Sequence, residues 1–235
     1  GPTVSRYLKG GEVNPAWRPY VKGMGKATVS KALTILDSFF NYLVASKYLV
    51  GNPLAVDRSR RRRHRAVPAV IDRYLELDEI HAVLDALASI EGSDESMVFA
   101  VIRARYLVLL LFYTGLRISE ASGHGMKDFV QREGNWFLKV VGKGEKPREI
   151  PIPDELLDAL ASFRLAVGLD SAQPTFAEPT PLIPMKNLVQ SISVRRIDQI
   201  LSWAFECGAQ RVEVASPHKA SKLRAASAHW LRHSY

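Results

Sequence analysis

The stretch Tyr106-Leu107-Val108-Leu109-Leu110-Leu111-Phe112-Tyr113 sets eight apolar or aromatic side chains in a row with no polar break. On a helix such a run covers every face, so it is stable only when other elements enclose it. We read it as the inner part of a buried helix from Met97 to Tyr113, with Gly115 where a left-handed residue would close it. It is too short to cross a bilayer, Arg103 and Arg105 lie just before it, and no stretch reaches the roughly 18 uninterrupted apolar residues of a span. The helix therefore demands a shell of protein. At 235 residues and 47% hydrophobic, the chain can supply one as a large domain or two small ones.

The shell can be read on either side of that helix. Ala27 to Lys47 is predicted helical, with Leu33, Leu36, Phe40 and Leu43 as its apolar stripe, and Lys26, Lys31 and Asp37 off it. Gly51-Asn52-Pro53 breaks it. The lead-in before it carries Gly10-Gly11, Pro15, Pro19 and an aromatic anchor at Trp17. Asp78 is expected to cap a helix through Leu87. Gly92 to Glu95 is expected as a loop. Trp136–Val141 and Arg148–Ile152 alternate as strands, joined by a turn from Gly142 to Pro147 that bears Lys143 and Lys146. Further helices are expected over Asp154–Val167, over Val194–Cys207 with Ile197, Ile200, Leu201 and Ala204 inward, and over the basic segment Lys219–Tyr235, with a break and candidate N-cap at Ser227. Gly168 to Met185 reads as a loop.

Charge narrows the partners. A net charge of +8 favours a polyanion, nucleic acid ahead of a membrane surface. Six arginines crowd into eight residues: Arg58, Arg60, Arg61, Arg62, Arg63 and Arg65. Like charges this dense resist packing, so residues 58–72 form an extended linker between a helical unit at 1–57 and a larger unit at 73–235. It is either a solvated connector, a nuclear-type address, or a strap over phosphates, whose oxygens match arginine forks. We favour the strap. A lone cysteine, Cys207, excludes an internal disulfide and fits a reducing cytoplasm. No signal peptide is visible, Gly1-Pro2 reads as a protease scar, and Tyr235 falls inside a motif, so a piece of a longer protein is expected.

Three short segments carry chemistry. In Thr114-Gly115-Leu116-Arg117-Ile118-Ser119-Glu120, Arg117 and Glu120 share a face if the chain turns helical again, and could simply pair. In Ala228-His229-Trp230-Leu231-Arg232-His233-Ser234-Tyr235, His229 and Arg232 share a helix face; alone, such a pair is ordinary surface. Histidine can exchange a proton near neutrality and arginine can grip two phosphate oxygens. Lys143 at a hairpin tip is, alone, a solvated lysine. In combination and in this order, Thr-Gly-Leu-Arg-x-Ser-Glu, Gly-Lys-Gly-x-Lys-x-Arg and His-x-Leu-Arg-His-Ser make the chain resemble the tyrosine recombinases, or phage integrase family, over roughly residues 70 to 235. The first unit is similar to the family's core-binding domain, including the exit at Asn52-Pro53.

The resemblance implies a mainly α fold with a small antiparallel β-sheet: a helical SAM-like core-binding domain lacking its first helix, and a mixed α+β catalytic domain. It implies Arg117, Arg232 and His229 as catalytic residues, with Glu120 and His233 supporting them. It implies Lys143 as general acid on the leaving 5′-hydroxyl, with Lys146 the next holder of that role. Lys26, Lys31, Lys146 and the arginine run would contact DNA. No cofactor or metal is required. Function would be site-specific cutting and rejoining of double-stranded DNA through a 3′-phosphotyrosine, for integration or excision of a mobile element or resolution of replicons. Four protomers would act on two duplexes, although this piece alone is expected to be monomeric, cytoplasmic and free of membrane. The family's nucleophilic tyrosine lies tens of residues past the second arginine and has no counterpart here; Tyr235 is assigned a packing role, so the piece would bind without cleaving. A type IB topoisomerase-like enzyme and a non-catalytic DNA-binding protein on this fold are the alternatives. Neutralising the arginines between 58 and 65 is expected to flatten the salt dependence of DNA affinity by up to about 0.9 log unit per lost phosphate contact, measured by binding titrations across salt; an unchanged slope would make the segment a plain connector.

Overall fold

The structure, a computed structural model, describes residues 12, 14–15, 24–55, 73–91, 94–141 and 147–234. The chain divides into two compact units, Gly1–Val70 and Ile71–Tyr235. Trp17, the arginine run at 58–65, Lys143, Lys146 and Tyr235 lie outside the described residues, as does the side chain of Lys26.

In the first unit, α1 spans Lys26–Ala45. Leu33, Phe40 and Leu43 are half-buried along it, whereas Leu36, expected on the same stripe, is exposed, as is Lys31. The Asn-Pro break folds back on this helix. Asn52 Nδ2 donates to Asp37 Oδ1 (3.0 Å) and Asn41 Oδ1 (2.8 Å), while Asn52 Oδ1 accepts the Leu54 N–H.

The second unit is built around α3, Glu95–Thr114. Its residues from Tyr106 to Phe112 are all buried. By length and composition alone this helix could cross a bilayer. Here it is instead packed by α2 (Leu77–Ala88), α5 (Asp154–Ala166), α6 (Val194–Val212), α8 (Ala228–His233) and a strand. Asp94 caps it through Met97 N–H, so the helix starts within the expected loop. The N-cap of α2 is Glu76 and not Asp78: Glu79 turns its carboxylate back onto the Glu76 N–H (2.8 Å), leaving Asp78 in the first turn. Gly115 sits at φ 57 and closes α3 as expected.

Between Gly125 and Ile152 the chain forms a three-stranded antiparallel sheet in the order β1 (Phe129–Arg132), β2 (Asn135–Val141), β3 (Pro147–Ile152). Phe129 faces Leu138 across the first pair; Trp136 faces Ile152 and Val141 faces Pro147 across the second. The first strand was not legible in the sequence, since only Phe129 of its four residues is buried. What makes the hairpin is the turn, where Glu133 and Gly134 both take positive φ, the geometry that suits strand twist. Leu138, Val140, Ile150 and Ile152 point to the core with period two.

Helix α6 buries Ile197, Ile200, Leu201, Ala204, Phe205, Gly208 and Ala209, the expected stripe carried one turn further than Cys207. The basic C-terminal segment is two helices, α7 (Pro217–Ala225) and α8, with the break before Ala228 at Ser227; the Ser227 side chain makes no cap bond. Where α2 crosses α6 the backbones approach closely: a Cβ on Gly208 would lie 2.6 Å from Val83 Cγ2 and 3.0 Å from Val83 Cα. Gly208→Ala is therefore expected to destabilise the second unit by about 1–3 kcal/mol in denaturant titrations, and Val83→Ala in the same chain to recover part of that loss.

Candidate active site

The loop between α3 and the next helix, α4 (Ile118–Gly123), builds the site. The left-handed turn at Gly115 reverses the chain, Leu116 is buried at 1% exposure as an anchor, and Arg117 emerges as the N-cap of α4. Glu120, at the third position of that helix, turns back: its carboxylate accepts the Arg117 N–H (3.0 Å) and the Arg117 guanidinium (2.7 Å). An acid here also suits the helix N-terminus.

Two more guanidinium groups converge on the same carboxylate. Arg148 Nη2 from β3 lies 3.1 Å from Glu120 Oε2, and Arg232 Nη1 from α8 lies 3.6 Å from it. Arg232 Nη1 also donates to the Gly115 carbonyl (2.8 Å), which the left-handed turn presents. Arg117 and Arg232 are thus brought together across 115 positions of sequence, on one acid. Three cations share one anion, leaving an excess of positive charge on groups that remain partly open to solvent, with Arg117 47% and Arg232 28% exposed. Guanidinium groups in such an arrangement can take up a further oxyanion.

Burial by itself would raise the Glu120 carboxyl. The Arg117 N–H, the Arg117 guanidinium and Arg148 outweigh it and bring the group down to about 2. Glu120 is therefore charged throughout the neutral range, and the cluster's composition is fixed there.

On α8 the buried face is Ala228, Trp230 and Leu231, which turns His229 and His233 outward. His229 lies one helical turn before Arg232, on the same side. His233, expected to support the catalytic residues, meets His229: their Nε2 atoms are 2.9 Å apart and the rings meet edge-on. The reason is the i,i+4 spacing, which stacks the two rings on the exposed face. One ring must donate and the other accept, so the contact holds a single shared proton.

Three contributors were missed. Arg148 stood in the quoted hairpin motif without a role; its place on the strand that reaches Glu120 gives it one. Ser234 Oγ accepts the Leu75 N–H (2.7 Å) and donates to the Trp230 carbonyl (2.9 Å), tying α8 to the beginning of the unit. His124 bridges α4 and β2. Ser234 closes the quoted C-terminal motif without an assigned role, and His124 carried no spacing signal. Among the described residues no group of three or more His, Cys, Asp or Glu side chains could hold a metal ion.

The second unit is thus mainly helical with a three-stranded antiparallel sheet and three arginines gathered on one acid, and comparison with known proteins gives its family. Residues 73–235 match the phage integrase family, and the chain belongs to that family. It is 32% identical over 183 residues to the tyrosine recombinase XerC of Thermodesulfovibrio yellowstonii, covering 77% of this chain and 56% of the relative. It is 28% identical over 217 residues to the XerC of Vibrio vulnificus, covering 91% and 58%. The chain thus spans little more than half the length of these curated relatives. In fold it is similar to a lambda integrase dimer bound to a COC′ core site, with TM-score 0.54 and 17% identity over 89% of this chain and 66% of that one.

The Glu120 cluster has a pH signature. Because its carboxyl falls from an ordinary 4.5 to about 2 on folding, its contribution to stability is complete above pH 4.5 and disappears as pH falls towards about 2. Thermal melts of wild type minus Glu120→Gln are expected to show a gap above that window, on the order of 1–3 kcal/mol, that closes within it.

Proposed function

We propose that this chain is the DNA-binding and phosphate-gripping part of a site-specific tyrosine recombinase. The observation that carries the reading is the convergence of Arg117, Arg148 and Arg232 on the single carboxylate of Glu120. In this reading residues 1–57 form the core-binding domain, 73–235 the catalytic domain, and the segment 58–72 a basic strap, all on double-stranded DNA. Lys31, exposed on α1, and Lys26 would add backbone contacts.

The chemistry follows from the charges. A tyrosine oxygen attacks the scissile phosphorus, forming a P–O bond, and the bond to the 5′-oxygen of the next nucleotide breaks. Negative charge grows on the non-bridging oxygens during the transfer, and Arg117 and Arg232 meet it where water is replaced by fixed guanidinium groups. The tyrosine proton passes to a base, for which His229, coupled to His233, is suited near neutral pH. The leaving 5′-oxygen takes a proton from Lys143, or from Lys146 if the turn presents that residue. We assign the tyrosine to none of the 235 residues. Supporting this reading are the family membership, the relatives' identity as tyrosine recombinases, and a charge of +8. Assembly as four protomers on two duplexes and a cytoplasmic setting belong to the same proposal.

The test uses the protein as its gene encodes it in full, with a duplex nicked near the scissile phosphate so that cleavage traps the covalent adduct. Wild type is expected to accumulate a protein–DNA adduct. Arg117→Ala and Arg232→Ala are each expected to lose about 10²–10³ in cleavage rate with duplex affinity largely kept. Failure of wild type to trap would favour a non-catalytic DNA-binding protein on this fold.

A further inference from the structure

His229 and His233 bring two nitrogen ligands together on the surface of α8. They stand four apart, the spacing that places side chains over one another on one helix face. Both are exposed, because Ala228, Trp230 and Leu231 take the buried face. Their Nε2 atoms are 2.9 Å apart, the ring centres only 4.4 Å apart, and the ring planes stand at 85°. An in-line N–H···N bond would hold the ring centres further apart, so at least one nitrogen axis is turned off the line between them. Two metal–nitrogen bonds of about 2.0–2.1 Å that meet at a right angle set their nitrogens about 2.9 Å apart. The spacing on α8 is that of two adjacent corners of a tetragonal or octahedral site.

The mount is preorganised. Helix α8 is held by its buried face, by Arg232 Nη1 on the Gly115 carbonyl, and by Ser234 Oγ on the Leu75 N–H. A pair of ligands fixed in this way loses little freedom on binding. Neutral imidazole suits divalent transition metals. Arg232, beside the pair, opposes a cation; its guanidinium is already engaged by the Gly115 carbonyl (2.8 Å) and faces Glu120 (3.6 Å). The last carbonyls of the helix favour positive charge at this end. With two ligands from the protein, the other positions on the ion fall to water or an oxyanion.

We propose that His229 and His233 form a two-histidine chelate for a divalent transition-metal ion, Cu²⁺ ahead of Ni²⁺, and that the bound ion switches the site off. On binding, the shared proton leaves Nε2, each neutral ring carries its N–H at Nδ1, and both Nε2 lone pairs go to the metal. His229 then has no lone pair left to take a proton. Metal binding stands on the geometry of α8 alone, whereas the inhibition rests on the recombinase reading, in which His229 is the base.

The test first titrates residues 1–235, without a histidine tag, with Ni²⁺ in a calorimeter. Wild type is expected to bind one ion at least about tenfold more tightly than His229→Ala, His233→Ala or the double variant, because the second ring acts at high effective concentration. Both side chains are exposed, so the metal-free variants are expected to melt with wild type. Equal affinity in wild type and the double variant would overturn the site. Cleavage of the nicked duplex by the protein as its gene encodes it in full is then measured with and without saturating Ni²⁺, each protein against its own metal-free rate. Wild type is expected to slow by on the order of 10²-fold and to recover when a chelator is added. His233→Ala is expected to keep its metal-free rate. Full-rate cleavage by nickel-bound wild type, or equal slowing of His233→Ala, would overturn the inhibition. If wild type cleaves nothing even without metal, the recombinase reading itself fails, and the chelate stands or falls on the titration.

Discussion

A single carboxylate holds the site together. Three guanidinium groups brought close in the absence of an anion would repel one another, and flexible side chains would relieve that by turning into solvent. Glu120 removes the choice, with Oε1 taking Arg117 and Oε2 facing Arg148 and Arg232. Its own position comes from its accepting the Arg117 N–H at the start of a six-residue helix. The acid is only 11% exposed, while the arginines reach past it towards solvent. Their geometry is thus set before any ligand arrives, and preorganised charge is the kind that stabilises a transition state.

That carboxylate is in turn placed by the greasy helix. Because α3 is enclosed by helices and a strand, its end is a fixed point, and the left-handed Gly115 converts it into a sharp turn. The turn yields two products. It sets Arg117 at the head of α4, and it exposes a carbonyl that Arg232 uses as its second anchor. Substituting another residue at Gly115 would strain a backbone at φ 57, even though a Cβ would find ordinary space 3.9 Å from Arg232.

The legible parts of the sequence were those with a period or a forbidden alternative. The run at Tyr106–Tyr113 could only be buried, the stripe from Ile197 had one face, and Gly115 fitted only a left-handed cap; each is found so, save that Tyr113 is half-buried. The small antiparallel sheet within a mainly α fold was legible from two alternating strands. Its edge strand was not, because Val130, Gln131 and Arg132 carry no apolar alternation and the pairing is set by the backbone of Glu133-Gly134. Within the site, Arg117, Glu120 and Arg232 were legible as a motif set, and the structure brings them together. The contact of His233 follows from helical spacing, which delivers its ring to His229 four residues before it. His124 reaches the Val141 N–H and Ser234 the Leu75 N–H, 17 and 159 positions away, and nothing in their neighbours reports those contacts.

Those backbone contacts explain how the second unit's first residues and its last helix behave as one piece. Ser234 holds the Leu75 N–H at the end of α8. Lys222 on α7 pairs with the buried Glu79 (2.7 Å) and stands over the Tyr74 ring, and Lys219 pairs with Asp78. Glu79 has already turned onto the Glu76 N–H, so one buried acid both starts α2 and receives the lysine that secures α7. A buried acid left without its cation is costly, which makes this pairing a condition of the fold more than an ornament of its surface. The segment that follows the arginine run is consequently fastened to the helix that bears His229 and Arg232. Leu75 and Ser234 thereby join the start of the unit to that helix through one hydrogen bond.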